Sequence, residues 1–198
     1  GPAHDDGGVY LAISDLMSGL LLVFVLLVMA LVYKVAEVIE QVQEQRIVII
    51  QSLQEALDAE GIDAKVDERT GDISILDDIL FAEGSASLTT EGRVFLDRFV
   101  PVYSDVIYSE SAFEHEIVRV VVEGHTSSKG SFGANMTLSL QRAASVLDYV
   151  ESDLSYPRKD RFQTKLLGAG RGEIEADQEF DLDGDRRVVF RMQFRGDH

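Results

Sequence analysis

Cysteine is absent from the 198 residues, so neither a disulfide framework nor thiolate zinc chemistry is open to this chain, and cysteine usage leaves the redox compartment undetermined. Basic residues are scarce: 18 Lys and Arg stand against 35 Asp and Glu, for a net charge of −17. No Lys/Arg cluster reverses that field locally. It would repel a phosphate backbone, which argues against nucleic acid as a direct partner. A Ser-His-Asp order, a metal-ligand cluster and a phosphate-binding loop are also lacking, so the chain is not read as an enzyme and no cofactor is implied. The residues contain neither an internal repeat nor a low-complexity tract.

What the chain does have is a long apolar run. From Leu16 to Tyr33 no residue is charged, and only Ser18 and Gly19 interrupt the large side chains. At about 1.5 Å per residue the run is roughly 27 Å long, enough to cross a hydrocarbon core. Residues 9–33 are therefore read as a single transmembrane helix behind an N-terminal tail, 1–8. The chain lacks the basic first segment and small-residue cleavage site of a signal peptide, so the helix is expected to stay in the mature protein. Gly1 and Pro2 stand in place of a starting Met and read as the remnant of a cut purification tag.

Asp15 is the anomaly in this helix. A carboxylate deep in a bilayer costs roughly 2.5–3.5 kcal/mol on insertion scales and needs a partner. The alternative is that Asp15 caps the first turn at the interface. The apolar residues from Val9 to Ile13 favour an earlier helix start and a buried carboxylate, and one helix cannot build the cavity that such a group requires. A single carboxylate leaves proton and sodium both open, with Ser14 and Ser18 able to lend oxygens. The proton is the working expectation.

Helical spacing continues through residues 34–61, where Val35, Ile39, Val42, Ile49, Leu53 and Ala56 follow a three-four repeat broken by Arg46 and end near Gly61. Two readings stay open for this neck. One is the seam of a parallel dimer; the other is an amphipathic helix packed on its own domain. The run Ile47-Val48-Ile49-Ile50 is wider than a two-helix seam needs.

Residues 64–198 alternate strand and helix signals, so the fold class is α+β with a mixed sheet covered by helices. "AKVDERTGDISIL" predicts a hairpin around Thr70-Gly71, and "TTEGRVFLDRFVPVYSDVIY" a helix capped by Thr89 or Thr90. "EIVRVVVEG" predicts a strand. "NMTLSLQRAASVLDYVESDL" predicts a helix with Met136, Leu140, Ala143, Val146, Leu147 and Val150 facing inward. "FQTKLLGAG" and "RRVVFRMQF" predict two further strands. Between strand and helix, "VEGHTSSKGSFGANMTLSLQRA" ends in a turn at His125-Thr126. It then presents Asn135, Leu138 and Arg142 on one helical face, where an Arg could take a carboxylate bidentately. In "DQEFDLDGDRR", Asp181, Asp183 and Asp185 have part of a calcium-loop spacing without the distal Glu, and an acidic surface turn is the competing reading.

The second half resembles the OmpA-like peptidoglycan-binding domains. Their pattern is G-H-T-D, a loop, then N-x-x-L-S-x-x-R-A-x-x-V. Here Gly124-His125-Thr126, Asn135, Leu138-Ser139, Arg142-Ala143 and Val146 fall in that order, followed by Gly168, Gly170 and Arg186-Arg187-Val188. "FAEGSASLTTEG" is similar to the family's first strand-to-helix segment. The resemblance implies that Arg142 grips the diaminopimelate of a stem peptide, with Thr126, Ser127, Asn135 and Leu138 around it. Ser127 stands where the family carries Asp, which weakens the amine contact, although an Asp or Glu from elsewhere could substitute. His125 is read as shaping the turn.

A membrane helix with an early Asp, a neck and such a domain resembles the B subunits of ion-driven stators. The flagellar MotB type shares the arrangement, and "SDLMSGLLLVFVLLV" is closer to the ZorB subunits of Zorya anti-phage defence. That resemblance implies a homodimer inside a pentamer of a multi-helix channel subunit of the ZorA or MotA kind. It also implies peptidoglycan outside an inner membrane, and Asp15 as the relay of a proton-driven rotary motor. Lys34 and Arg46 alone would place the C-terminal part in the cytoplasm, and the wall resemblance overrides them in favour of the periplasm. A flagellar-type stator subunit, or a passive tether between membrane and wall, is the alternative.

Overall fold

Helix α1, Asp6–Ala59, opens the computed structural model, which describes residues 6–180 and 182–197. The chain divides into two units, Gly1–Glu44 and Gln45–His198. In the first, α1 exposes apolar side chains on every side, Leu21, Phe24 and Leu27 among them. A helix apolar all round is stable only where something other than water covers it. Among the described residues one helix is long and apolar enough to cross a membrane. It begins at Asp6, ahead of the expected Val9, so Asp15 sits inside the helix and not at its cap.

The second unit contains the last part of α1. There Ile49, Ile50, Leu53 and Leu57 are buried in the unit's own core, with Ala56 packed against it. In the neck's C-terminal half Ile49 and Leu53 thus pack as in an amphipathic helix lying on its own domain, and the compact unit that holds them starts at Gln45. The break at Arg46 has the same cause. Its guanidinium lies 4.9 Å from the Phe194 ring centre and 2.7 Å from Asp197, so this position reads the domain's last strand. The helix stops in a Schellman turn: the Ile62 N–H bonds to the Leu57 carbonyl, the Gly61 N–H to that of Asp58, and Gly61 takes φ +61°.

Strand β1, Lys65–Val66, turns through Asp67, whose carboxylate accepts from the N–H groups of Arg69 and Thr70, into β2, Ile73–Leu76. Then follow α2, Asp77–Leu80, and α3, Thr90–Ile107, capped by the Thr89 hydroxyl, which accepts from Gly92 N–H at 2.9 Å. After α4, Ser111–Glu116, come β3, Ile117–His125, and α5, Phe132–Ser152. The chain ends with α6, Lys159–Gln163, β4, Leu166–Gly172, a 3₁₀ turn at Asp183–Asp185, and β5, Arg187–Phe194.

The sheet order is β1-β2-β5-β3-β4, with β3 and β4 parallel and the other pairs antiparallel. Alternate residues feed one core: Ile73 and Ile75, Val120 and Val122, Val188, Phe190 and Met192. Phe99 of α3 meets Phe190 edge-on at 4.9 Å between ring centres. The helices therefore cover one face. The other face carries Glu123, His125, Arg187 and Arg191, linked by ion pairs such as Arg191 to Glu123 at 3.1 Å.

Helix α5 departs from the expected inward set. Ala143, Val146 and Val150 are buried, but Leu140 is 49% exposed, and Asn135, Ser139 and Arg142 are buried in place of Met136 and Leu140. This helix approaches the sheet closely at Ser139 and Leu140, where only glycine backbone lies opposite. A Cβ on Gly124 would sit 2.1 Å from the Ser139 carbonyl oxygen, and one on Gly170 2.5 Å from Leu140 Cγ. Ser139 locks the approach, because its hydroxyl accepts from Gly172 N–H at 3.0 Å and donates to the Met136 carbonyl.

Candidate functional site

The close approach of α5 leaves a cleft of about 570 Å³ between two walls. One wall is the end of β3 and the start of α5, with Thr126, Ser127, Asn135, Leu138 and Arg142. The other is the segment from Leu76 to Gly84, with Asp183 and Arg186 at its edge. All five residues expected to bind a ligand thus line one cleft. Asp15 belongs to the other unit, where the Ser18 hydroxyl donates back to the Ser14 carbonyl at 2.8 Å. A Ser bonded to the preceding turn is ordinary helix chemistry.

Arg142 is 1% exposed and is the largest fully buried side chain described. An unpaired charge at that depth would be very costly. Its Nη2 lies 2.6 Å from Asp77 Oδ2, its Nε donates to the Ser85 carbonyl at 3.0 Å, and Phe81 stacks at 5.4 Å. Nη1 of Arg142 and Oδ1 of Asp77 have no hydrogen-bond partner among the described residues. Burial pushes the Asp77 carboxyl up to about 6, against the pull of Arg142 and Arg186. Burial likewise lowers the Arg142 guanidinium, and Asp77 opposes it.

The turn residues have structural duties as well. Thr126 N–H donates to the Gly172 carbonyl at 2.8 Å. The Asn135 amide donates to the Ser127 carbonyl at 3.3 Å and to Glu173, which ties the loop to the segment after β4. His125 is buried beneath the turn, 3.5 Å from Glu123 and 3.7 Å from Glu175. Burial drives Glu123 up, but His125 and Arg191 overcome it and hold that carboxyl below its ordinary range.

Of the acidic loop, Asp181 lies outside the described residues. Asp183 pairs with Arg186, and Asp185 accepts from Asp177 N–H at 3.0 Å, both uses proper to an acidic turn. Asp77, Phe81 and Ser85 were not singled out as site residues from the sequence. The only signal was two acids directly after an apolar strand in "ISILDDILF", and it does not say that the first of them meets Arg142, 65 positions later.

The model of the OmpA family matches residues 80–181. The chain is 30% identical over 210 residues to a Zorya protein ZorB of Escherichia coli strain Crooks, covering 94% of this chain and 88% of that protein. It is 27% identical over 201 residues to a ZorB of a second Escherichia coli strain, covering 94% and 80%. Among solved structures, a MotB-like protein from Desulfovibrio vulgaris superposes with a TM-score of 0.57 at 19% identity, covering 80% of this chain and 97% of its own. The cell wall anchor of the type VI secretion system from Pseudomonas aeruginosa gives 0.50 at 22% identity, covering 72% and 97%. At those identities the likeness is one of fold.

Proposed function

For a chain that belongs to the OmpA family and to the family of the Zorya protein ZorB, we propose the role of B subunit in a proton-driven membrane motor of anti-phage defence. In this reading the apolar part of α1 crosses the inner membrane once and the domain from Gln45 onward lies in the periplasm. Two copies stand inside a ring of a multi-helix channel subunit. Asp15 takes a proton from one side and releases it toward the other. One elementary charge falling through 100 mV releases about 2.3 kcal/mol, comparable to an allosteric coupling energy, so neutralising Asp15 can drive a change in how the ring packs. The Arg142 cleft holds the stem-peptide diaminopimelate of peptidoglycan. A dimer so tethered stays still while the ring turns.

The observation that carries the reading is the combination, in one chain, of an apolar helix interrupted by Asp15 and a domain in which Arg142 lines one cleft with Thr126, Ser127, Asn135 and Leu138. The test uses the full chain expressed with its channel subunit. Efficiency of phage plating and co-sedimentation with purified sacculi are measured for Asp15→Asn and Arg142→Ala. Asp15→Asn should abolish protection with sacculus binding intact, and Arg142→Ala should lose both. Full protection by Asp15→Asn would refute the ion relay and leave a passive membrane-to-wall tether.

A further inference from the structure

One stretch of chain, the connection from β4 to β5, holds both walls of the cleft. At its start it grips the turn between β3 and α5. The Gly172 carbonyl accepts from Thr126 N–H at 2.8 Å, the Glu173 carboxylate from the Asn135 amide, and the Asp177 carbonyl from the Ser128 hydroxyl at 2.7 Å. At its end it grips the other wall: the Arg186 carbonyl accepts from Asp77 N–H at 3.0 Å, and Asp183 and Arg186 line the cleft. Between these ends the connection is tied back on itself. The Asp185 carboxylate accepts from Asp177 N–H at 3.0 Å, and the Asp177 carboxylate accepts from the N–H groups of Glu179 and Phe180.

Within this brace Glu173 makes the one contact that passes through another side chain into the cleft. Asn135 is 6% exposed, and its Nδ2 group donates to two acceptors, Glu173 and the Ser127 carbonyl at 3.3 Å. Two acceptors on one side fix which end of the amide faces them. The Asn135 Oδ1 is then turned to the loop, where a Cβ on Gly130 would lie 3.2 Å away. Without Glu173 a buried N–H loses its charged acceptor, and the amide is free to turn over and release the Ser127 carbonyl. We infer that Glu173, which is not among the residues lining the cleft, is a positioning residue for it: through Asn135 it sets where Thr126 and Ser127 stand relative to Arg142. The assignment rests on the reading of this cleft as the wall-binding site.

The test measures co-sedimentation of the full-length protein in detergent with purified sacculi, beside amide hydrogen exchange over residues 126–135. Glu173→Ala should weaken sacculus binding about tenfold, the size of one hydrogen bond to a charged group, and speed exchange in the turn. Glu173→Gln keeps an acceptor at the same place and should restore both, which a role resting on charge alone would not allow. Asn135→Ala should bind as weakly as the double variant Asn135→Ala with Glu173→Ala, because the carboxylate acts through that amide. Wild-type binding by Glu173→Ala, binding by Glu173→Gln no better than that of Glu173→Ala, or additive losses in the double variant each overturn the assignment. Should Glu173→Ala fail to fold, Glu173→Asp decides: its carboxylate falls one methylene short of Asn135, and unchanged sacculus binding overturns the assignment. Exchange in the turn that does not respond to Glu173→Ala overturns this inference alone; no sacculus binding by the wild type overturns the wall-binding reading together with it.

Discussion

Replacing Leu53 by Ala tests whether the end of α1 is domain core or dimer seam. Leu53 is 0% exposed and shares its surroundings with Ile49, Ile50 and Leu57, all inside the unit's own hydrophobic cluster. Truncating a fully buried Leu removes its transfer energy and leaves a cavity, a cost of about 2–5 kcal/mol. For a unit of this size that corresponds to a fall in Tm of roughly 5–15 °C. The control is Val48→Ala: Val48 is 48% exposed, and its loss should stay within about 0.5 kcal/mol. The assay is urea and thermal unfolding by circular dichroism on the chain from Gln45 onward, at two protein concentrations tenfold apart. A core residue gives a shift independent of concentration, because the reaction stays unimolecular. A seam residue gives a Tm that moves with concentration, by mass action. The reasoning is refuted if Leu53→Ala unfolds within about 0.5 kcal/mol of the wild type, or if its Tm tracks protein concentration.

Three further outcomes follow from the same packing. Gly124→Ala would put a Cβ 2.1 Å from a backbone oxygen of α5, so it should cost about 3 kcal/mol, the upper end for overpacking, in urea denaturation. Arg142→Ala strands the buried Asp77 and should cost about 3–5 kcal/mol, whereas Arg142→Met combined with Asp77→Leu should be near neutral in stability while still failing to co-sediment with sacculi. Asp77 also sets a pH window. Its carboxyl is raised to about 6 in the folded protein from about 3.9 unfolded, so the folded state holds the extra proton. The associated stability is complete below pH 3.9 and is lost as pH rises through 6, up to about 3 kcal/mol. Unfolding free energies of the wild type and Asp77→Asn should therefore diverge across that window with the wild type falling, and parallel curves would contradict the shift.

Local rules carried much of the domain's reading. Thr89 as a cap, the turn at Thr70-Gly71, the Gly61 stop and the strands around Val121 and Val189 depend on contacts within a few residues, which periodicity and turn chemistry express directly. The inward face of α5 did not follow from those rules. Apolar spacing pointed to Met136 and Leu140, but the bare backbone at Gly124 and Gly170 brings the helix onto the sheet at Ser139, and the buried positions beside it go to Asn135 and Arg142, whose polar groups bond to Ser127, Glu173, Asp77 and Ser85. The neck was ambiguous for a related reason, since a three-four repeat states that one face is covered and not by what.

By itself, the sequence determined that an apolar helix bears a single carboxylate at Asp15, that an α+β domain follows it, and that Thr126, Ser127, Asn135, Leu138 and Arg142 belong together. Those features reside in composition, period and a motif contiguous in the chain. Only the tertiary structure decided that Ile49 and Leu53 complete the domain's core and that Asp77 is the counter-ion of Arg142. Both are pairings between segments far apart in the chain, fixed by which surfaces bury one another and by the need of a buried guanidinium for a carboxylate. Neither requirement leaves a periodic mark on the residues that satisfy it.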